Sequence, residues 1–171
     1  DRAKGGGARI ICELPFEVGE LDGAQPQSIE AEKTLCIENA PLILVAEDHP
    51  LNRLVASLVL GEAGLAHEFA EDGEAAVEAV RTGRFNMVLM DVHMPKMDGL
   101  AASRAIRDLP KPAGGVPIIA VTANAAADEI ADCLAAGMDD FVPKPISAAE
   151  LLHKMALHLE PGRRPRGEAA A

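Results

Sequence analysis

The sequence predicts an α/β fold: a doubly wound sheet of five parallel strands, each followed by a helix, in the strand order 2-1-3-4-5. Between Ala40 and Leu159, short apolar runs alternate five times with longer segments of helical period. That is the rhythm of βα units wrapped around a parallel sheet. Three of the runs are apolar without alternation, as strands covered on both faces require. The right-handed crossovers that such units adopt then place the first and third strands side by side.

Each element has its own signal. The first run, Leu42-Ile43-Leu44-Val45-Ala46, reads as a central strand, and the helix after it, Pro50 to Ala63, carries Leu51, Leu54/Val55 and Leu58/Val59 at helical spacing. Those residues are expected to form the face that meets the sheet. Leu65 to Ala70 is shorter and more polar, which suits an edge strand, and Gly73 to Arg81 follows as a helix. Met87-Val88-Leu89-Met90 is central, with a helix over Gly99 to Asp108. Ile118-Ile119-Ala120-Val121 is central, with a helix over Ala126 to Ala136. Asp140-Phe141-Val142 suits the other edge, and the last helix, Ala148 to Leu159, repeats Leu151/Leu152, Met155 and Leu159. Gly64, Gly83 and Gly137 stand just past three helices, where a left-handed cap needs a residue without Cβ.

Outside these units the pattern lapses. Residues 1–18 hold a glycine run and one strand-like stretch, Ala8 to Phe16; residues 19–39 read as a linker; residues 160–171 read as a flexible tail around Arg163, Arg164 and Arg166. The domain proper is therefore expected over residues 40–159. Across all 171 residues, 16 basic against 27 acidic side chains give a net charge of −11. A chain of that sign is repelled by nucleic acid and by anionic membranes. Cys12, Cys36 and Cys133 are too few and too scattered for a disulfide framework or a zinc site. No apolar run reaches 18 residues and no leader pattern opens the chain, so the expectation is a cytoplasmic fragment without membrane contact.

Open parallel sheets bind ligands beyond the carboxyl ends of their strands. Here the first strand ends in Glu47-Asp48, the third in Asp91, the fourth in Thr122, and Lys144-Pro145 follows the fifth. Three carboxylates brought together at the switch point repel one another and call for a cation. A cluster of oxygen ligands with room for water favours Mg²⁺. An aspartate so placed can act as a nucleophile toward phosphorus, with a hydroxyl (Thr122) and an ammonium (Lys144) to hold the other phosphoryl oxygens.

The segments Ala46-Glu47-Asp48-His49-Pro50-Leu51-Asn52-Arg53, Met90-Asp91-Val92-His93-Met94-Pro95-Lys96-Met97-Asp98-Gly99, Val121-Thr122-Ala123-Asn124-Ala125 and Phe141-Val142-Pro143-Lys144-Pro145 resemble the receiver domains of two-component signalling. The likeness covers Ala40 to Leu159 and implies a flavodoxin-like (βα)5 fold. By that resemblance Asp91 is the phosphoacceptor, Asp48 a direct Mg²⁺ ligand, Glu47 a ligand through water, and the His93 backbone carbonyl a further ligand. Lys144 would pair with the phosphoryl group, and the Lys144–Pro145 bond would be cis. Thr122 and Phe141 match the pair that moves together on phosphorylation, although Phe141 has no phenol hydroxyl with which to form a hydrogen-bonded switch. His93 and Asn124, two residues past Asp91 and Thr122, would tune water access to the phosphoryl group, whereas His153 and His158 read as ordinary helix residues.

The first and second of these motifs look most like receivers at the C-terminus of hybrid histidine kinases. Residues 5–16 are similar to the last strand of a kinase ATP-binding domain. The implied partners are a phosphohistidine-bearing kinase domain and a histidine phosphotransfer protein, with the first helix as their contact. Within the fragment there is no ATP site, so its own chemistry would be phosphorylation and dephosphorylation of Asp91. A free-standing response regulator and a docking module that takes no phosphate are the alternatives. A phosphatase of the haloacid-dehalogenase type would want a second Asp where His93 stands.

Overall fold

The computed structural model describes residues 41–159. The expected strand at Ala8–Phe16, the linker, the tail, Cys12 and Cys36 lie outside the described residues. Within them the elements run β1 (Leu42–Ala46), α1 (Pro50–Glu62), β2 (Ala66–Ala70), α2 (Gly73–Arg81), β3 (Met87–Asp91), α3 (Gly99–Arg107), β4 (Ile118–Thr122), α4 (Ala127–Ala135), β5 (Asp140–Pro143) and α5 (Ala148–Leu159). All strand pairs are parallel and the sheet order is β2-β1-β3-β4-β5. The sequence expectations hold to within a residue at each boundary. A 3₁₀ turn at Ala113–Gly115, preceded by a cis Lys111–Pro112 bond, has no counterpart among them.

Side chains of a strand alternate between faces, and the two faces of this sheet collect separate helices. Ile43, Val45, Met87, Leu89, Ile119, Val121 and Val142 pack against Ala56 and Leu60 of α1 and Leu151 and Met155 of α5. Leu44, Ala46, Val88, Met90, Ile118 and Ala120 pack against α2, α3 and α4 through Ala76, Val80, Ala102, Ile106 and Cys133. β3 and β4 are buried along their whole length, while the edge strand β2 is buried at Ala70 alone. Gly64, Gly83 and Gly137 have φ of +70°, +71° and +91°, which accounts for glycine after α1, α2 and α4. Asp72 and Asp98 cap α2 and α3, accepting from the amides of Ala75 (2.8 Å) and Ala101 (2.7 Å).

Two expectations are corrected. In α1, Leu51, Leu54 and Leu58 are 61%, 54% and 59% exposed and Val55 is exposed too; of the expected stripe Val59 packs on the core, beside Ala56 and Leu60, which were not expected there. The helix has apolar residues on two sides, and periodicity alone does not say which side the sheet takes. His158, read as an ordinary helix residue, is buried, with Nε2 3.4 Å from Asp140 Oδ2. His153 is exposed, as expected.

Candidate functional site

The strand ends bring the expected residues to one end of the sheet. Ala46 of β1 lies opposite Met90 of β3, so the next residues, Glu47 and Asp91, emerge side by side. Asp91 is opposite Val121, and Thr122 is opposite Pro143. Lys144 comes next, its amide donating to the Thr122 carbonyl at 2.7 Å. The Lys144–Pro145 bond is cis. From there the Lys144 ammonium crosses to the first and third strands, reaching Glu47 Oε2 at 2.8 Å and Asp91 Oδ2 at 2.7 Å.

Glu47 is held on both oxygens. Its Oε1 accepts from the His49 amide (3.1 Å) and from Asn52 Nδ2 (2.9 Å), so the first turn of α1 fixes the carboxylate that Lys144 grips from the other side. The sequence expectation sets Asn52, with Leu51 and Val55, beside the acidic cleft as a partner contact; the structure adds its positioning bond to Glu47, for which the signal available was an amide in the first turn of α1, five residues beyond an acid at a strand end. Asp91 Oδ1 accepts from the His93 amide at 3.1 Å. Glu47 and Asp91 are buried, whereas Asp48 is exposed at the mouth of the cleft and has no ion pair among the described residues.

The loop from β3 to α3, which carries His93, is fastened to α2. Lys96, a non-glycine residue with φ of 63°, places its ammonium on the buried carboxylate of Asp72, and the Gly73 amide donates to the Met97 carbonyl at 3.1 Å. A Cβ on Gly73 would collide with that carbonyl. The His93 and Asn124 side chains are exposed at the rim.

Burial is the largest influence on all three charged groups at the centre. It raises the Glu47 carboxyl, but Lys144, Asn52 and the His49 amide together outweigh it and hold Glu47 below its ordinary range. Burial raises Asp91 as well, and the charge of Glu47 adds to that effect. Lys144 and the His93 amide oppose it only in part, and Asp91 stands above its ordinary value. Burial lowers Lys144, and its bonds to Asp91 and Glu47 more than reverse this.

One oxygen from each of Glu47, Asp48 and Asp91 lies within 4.8 Å of the others. One ammonium does not neutralise three carboxylates, so the cleft keeps surplus negative charge. The donors are hard oxygens with an open side toward solvent, a set that fits Mg²⁺ and not a thiolate or imidazole metal.

The switch pair is less simple than the sequence suggests. Thr122 is fully buried. Its hydroxyl oxygen accepts from the Asn124 amide at 3.1 Å, and the hydroxyl faces the carboxylate of Glu129 on α4. Glu129 had no place among the candidate residues. Phe141 is half-buried against the α2, α3 and α4 side of the core, with Lys154 Nζ 4.2 Å from its ring centroid.

The family described as response regulator receiver domain matches residues 43–156. Sensor protein GacS of Pseudomonas syringae pv. syringae is 43% identical over 147 residues, covering 84% of this chain but 16% of that protein, so the chain spans about a sixth of its length. Among solved structures, the receiver domain of sensor histidine kinase PA1611 from Pseudomonas aeruginosa PAO1 superposes with a TM-score of 0.66 at 36% identity, covering 71% of this chain and 98% of that one. It holds a magnesium ion in its active-site cleft. The receiver domain of a Saccharomyces cerevisiae response regulator, crystallised with its upstream histidine phosphotransfer signalling protein, superposes with a TM-score of 0.64 at 26% identity, covering 68% of this chain and 86% of that one. No helix among the described residues is long and apolar enough to cross a membrane.

Proposed function

The chain belongs to the response regulator receiver domain family, and from that premise we propose that it is the phosphoacceptor module of a two-component phosphorelay, forming the C-terminal part of a hybrid histidine kinase. The single observation that carries the reading is Lys144 bridging Glu47 and Asp91 beside the open carboxylate of Asp48. That site has a nucleophile, a cation and surplus negative charge at the end of a pre-built sheet.

In the proposed reaction an Asp91 carboxylate oxygen attacks the phosphorus of a phosphohistidine. The oxygen–phosphorus bond forms as the phosphorus–nitrogen bond breaks, and the electron pair returns to the imidazole nitrogen, which then takes a proton. As an acyl phosphate, the Asp91 carboxyl loses its own charge and its claim on Lys144, whose ammonium is then available to a phosphoryl oxygen. The Thr122 hydroxyl donates to a second. Mg²⁺, held by Asp48, Asp91, the His93 carbonyl and, through water, Glu47, would supply positive charge to the carboxylates and the phosphoryl oxygens when bound. Lys144, Asn52 and the His49 amide meanwhile keep Glu47 ionised and aimed at the cleft. His93 and Asn124 stand at the rim, where they govern the approach of water and hence the lifetime of the phosphoryl group.

Transfer onward to a histidine phosphotransfer protein runs the same bond changes in reverse. The exposed Leu51, Leu54, Val55 and Leu58 of α1 lie beside the cleft through Asn52 and Glu47. They offer donor and acceptor helices an apolar face. As Thr122 moves toward the phosphoryl group, Phe141 gains room to turn inward, which changes the surface formed by α4, β5 and α5.

Intact-mass measurement after incubation with acetyl phosphate, with and without Mg²⁺, tests the proposal on the native chain and on Asp91→Asn. A Mg²⁺-dependent gain of one phosphoryl group, absent in the variant, is expected. No gain under any condition would sink it.

A further inference from the structure

Resting on the reading of Asp91 as the acceptor, we infer that Glu129 is a positioning residue of the switch: its carboxylate holds the Thr122 hydroxyl in the unphosphorylated protein, and a phosphoryl group on Asp91 must win that hydroxyl from it.

A hydroxyl has one proton to give. Around Thr122 Oγ1 the structure places two acceptors, the Asn124 carbonyl at 3.0 Å and the Glu129 carboxylate. A carboxylate is the stronger acceptor of the two, because a charged partner roughly doubles a hydrogen bond. The lone pair of the same oxygen is already engaged by the Asn124 amide. Loop and helix thus divide the hydroxyl between them: the loop donates to it, and α4 accepts from it. Thr122 is wholly buried, so water does not compete for the proton.

The placement of Glu129 gives this bond a consequence. It stands in the first turn of α4, a helix whose cap position is Ala126 and has no side-chain cap bond. A negative charge is favoured there by the exposed amides, and Thr122 ties it down. Phe141, at the aromatic position, has no hydroxyl to exchange and lies under the Lys154 ammonium, which is itself bound to Asp140 at 2.8 Å. Among the described residues two hydrogen-bonded links run from Thr122 to the start of α4: one through Asn124, whose Oδ1 accepts from the Ala126 amide at 3.2 Å, and one through Glu129, which alone brings a charge to the hydroxyl. When the hydroxyl turns to a phosphoryl oxygen, the half-buried carboxylate loses its donor and is driven toward solvent, and the start of α4 is released with it. The same competition disfavours the phosphorylated state, since a contact shifts an equilibrium by the difference it makes between the two states.

Glu129→Gln retains the size of the side chain and a carbonyl acceptor while removing the charge. Under limiting acetyl phosphate and Mg²⁺, the steady-state ratio of phosphorylated to free Asp91, read by intact mass, is expected to rise about fivefold in this variant. Asp128→Asn removes the same charge one residue away, at an exposed position, and is expected to leave the ratio near the native value. In the unphosphorylated protein, NMR of the Thr122 hydroxyl and Cβ should shift in Glu129→Gln and stay in place in Asp128→Asn. Equal gains in the two variants would mean a general field effect and overturn the inference, as would an unmoved Thr122 signal in Glu129→Gln. A native chain that takes no phosphoryl group shows, before any variant is compared, that the reading of Asp91 has failed and the competition with it.

Discussion

Among the described residues, Lys144 and Lys154 both pair with acidic side chains, and their surroundings are built in opposite proportion. At the carboxyl end of the sheet one ammonium, Lys144, is shared by two buried carboxylates, Glu47 and Asp91, with a third, Asp48, open beside them. On the flank formed by β5 and α5 one carboxylate, Asp140, is shared by Lys154 at 2.8 Å and the His158 imidazole at 3.4 Å. The second group is closed: its single carboxylate has two nitrogen partners and nothing further is called for. The first is in surplus, and buried surplus charge is tolerated only where a ligand completes it. The ratio of acids to bases, rather than burial or the presence of an ion pair, separates a binding site from a structural tie.

Removing the shared lysine should have the largest effect. Lys144→Met leaves Glu47 and Asp91 buried without a cation. It is expected to lower stability by about 3 kcal/mol in the absence of divalent ions, measured by urea unfolding, and to lower phosphorylation by acetyl phosphate about 100-fold. Mg²⁺ should restore part of the stability, because it binds the folded state alone. If Lys144→Met were as stable as the native protein in chelator, the surplus-charge account of the site would be wrong.

The two aspartates should then respond with opposite sign. Burial raises Asp140, but Lys154, the Phe141 amide and His158 bring it below its ordinary range. A carboxyl depressed on folding binds fewer protons than in the unfolded chain. Its stabilisation is therefore present above the ordinary carboxyl range and is lost as pH falls through the folded value. Asp140→Asn is expected to cost about 1–2 kcal/mol near pH 7 and to flatten the acid limb of the stability profile. Asp91 is raised instead, so its ionisation opposes folding as pH rises from the ordinary carboxyl value through the folded one. Asp91→Asn leaves Lys144 and Glu47 as a balanced pair and should stabilise the protein by about 1 kcal/mol at pH 7 without divalent ions, the gain vanishing at acid pH. Mg²⁺ should raise the melting temperature of the native chain more than that of this variant. Parallel pH profiles for the two variants would break the comparison.

The sequence made the frame legible because each part of it has a local signal. Apolar runs without alternation marked β1, β3 and β4, and polar short runs marked the edges β2 and β5, as the sheet order bears out. Asp91, Glu47 and Lys144 were readable because they end strands or follow them directly. The bonds of Glu129 to Thr122 and of Asn52 to Glu47 were not, because they depend on a helix turning back over a strand end, and a helical acid or amide is ordinary at any one position. His158 was missed for the same reason: α5 brings it over Asp140 of β5, a contact no spacing announces. α1 shows the limit most plainly, since Leu51, Leu54 and Leu58 repeat as regularly as a core stripe and lie outside the core.

That last case extends the contrast from charge to apolar surface and gives the smallest expected effect on folding. Ile106 of α3 is wholly buried and Leu54 of α1 is 54% exposed. Ile106→Ala leaves a cavity and should cost about 2–5 kcal/mol, whereas Leu54→Ala should change stability by no more than about 0.5 kcal/mol. If α1 is the face that meets a phosphohistidine protein, Leu54→Ala should still slow phosphoryl transfer from that protein while phosphorylation by acetyl phosphate stays at the native rate. Paired rate measurements with the two donors separate the possibilities: slowing with both would place the leucine in the chemistry of the site, and slowing with neither would remove α1 from the transfer surface. Only slowing confined to the protein donor fits an apolar face left uncovered by the fold for a partner to cover.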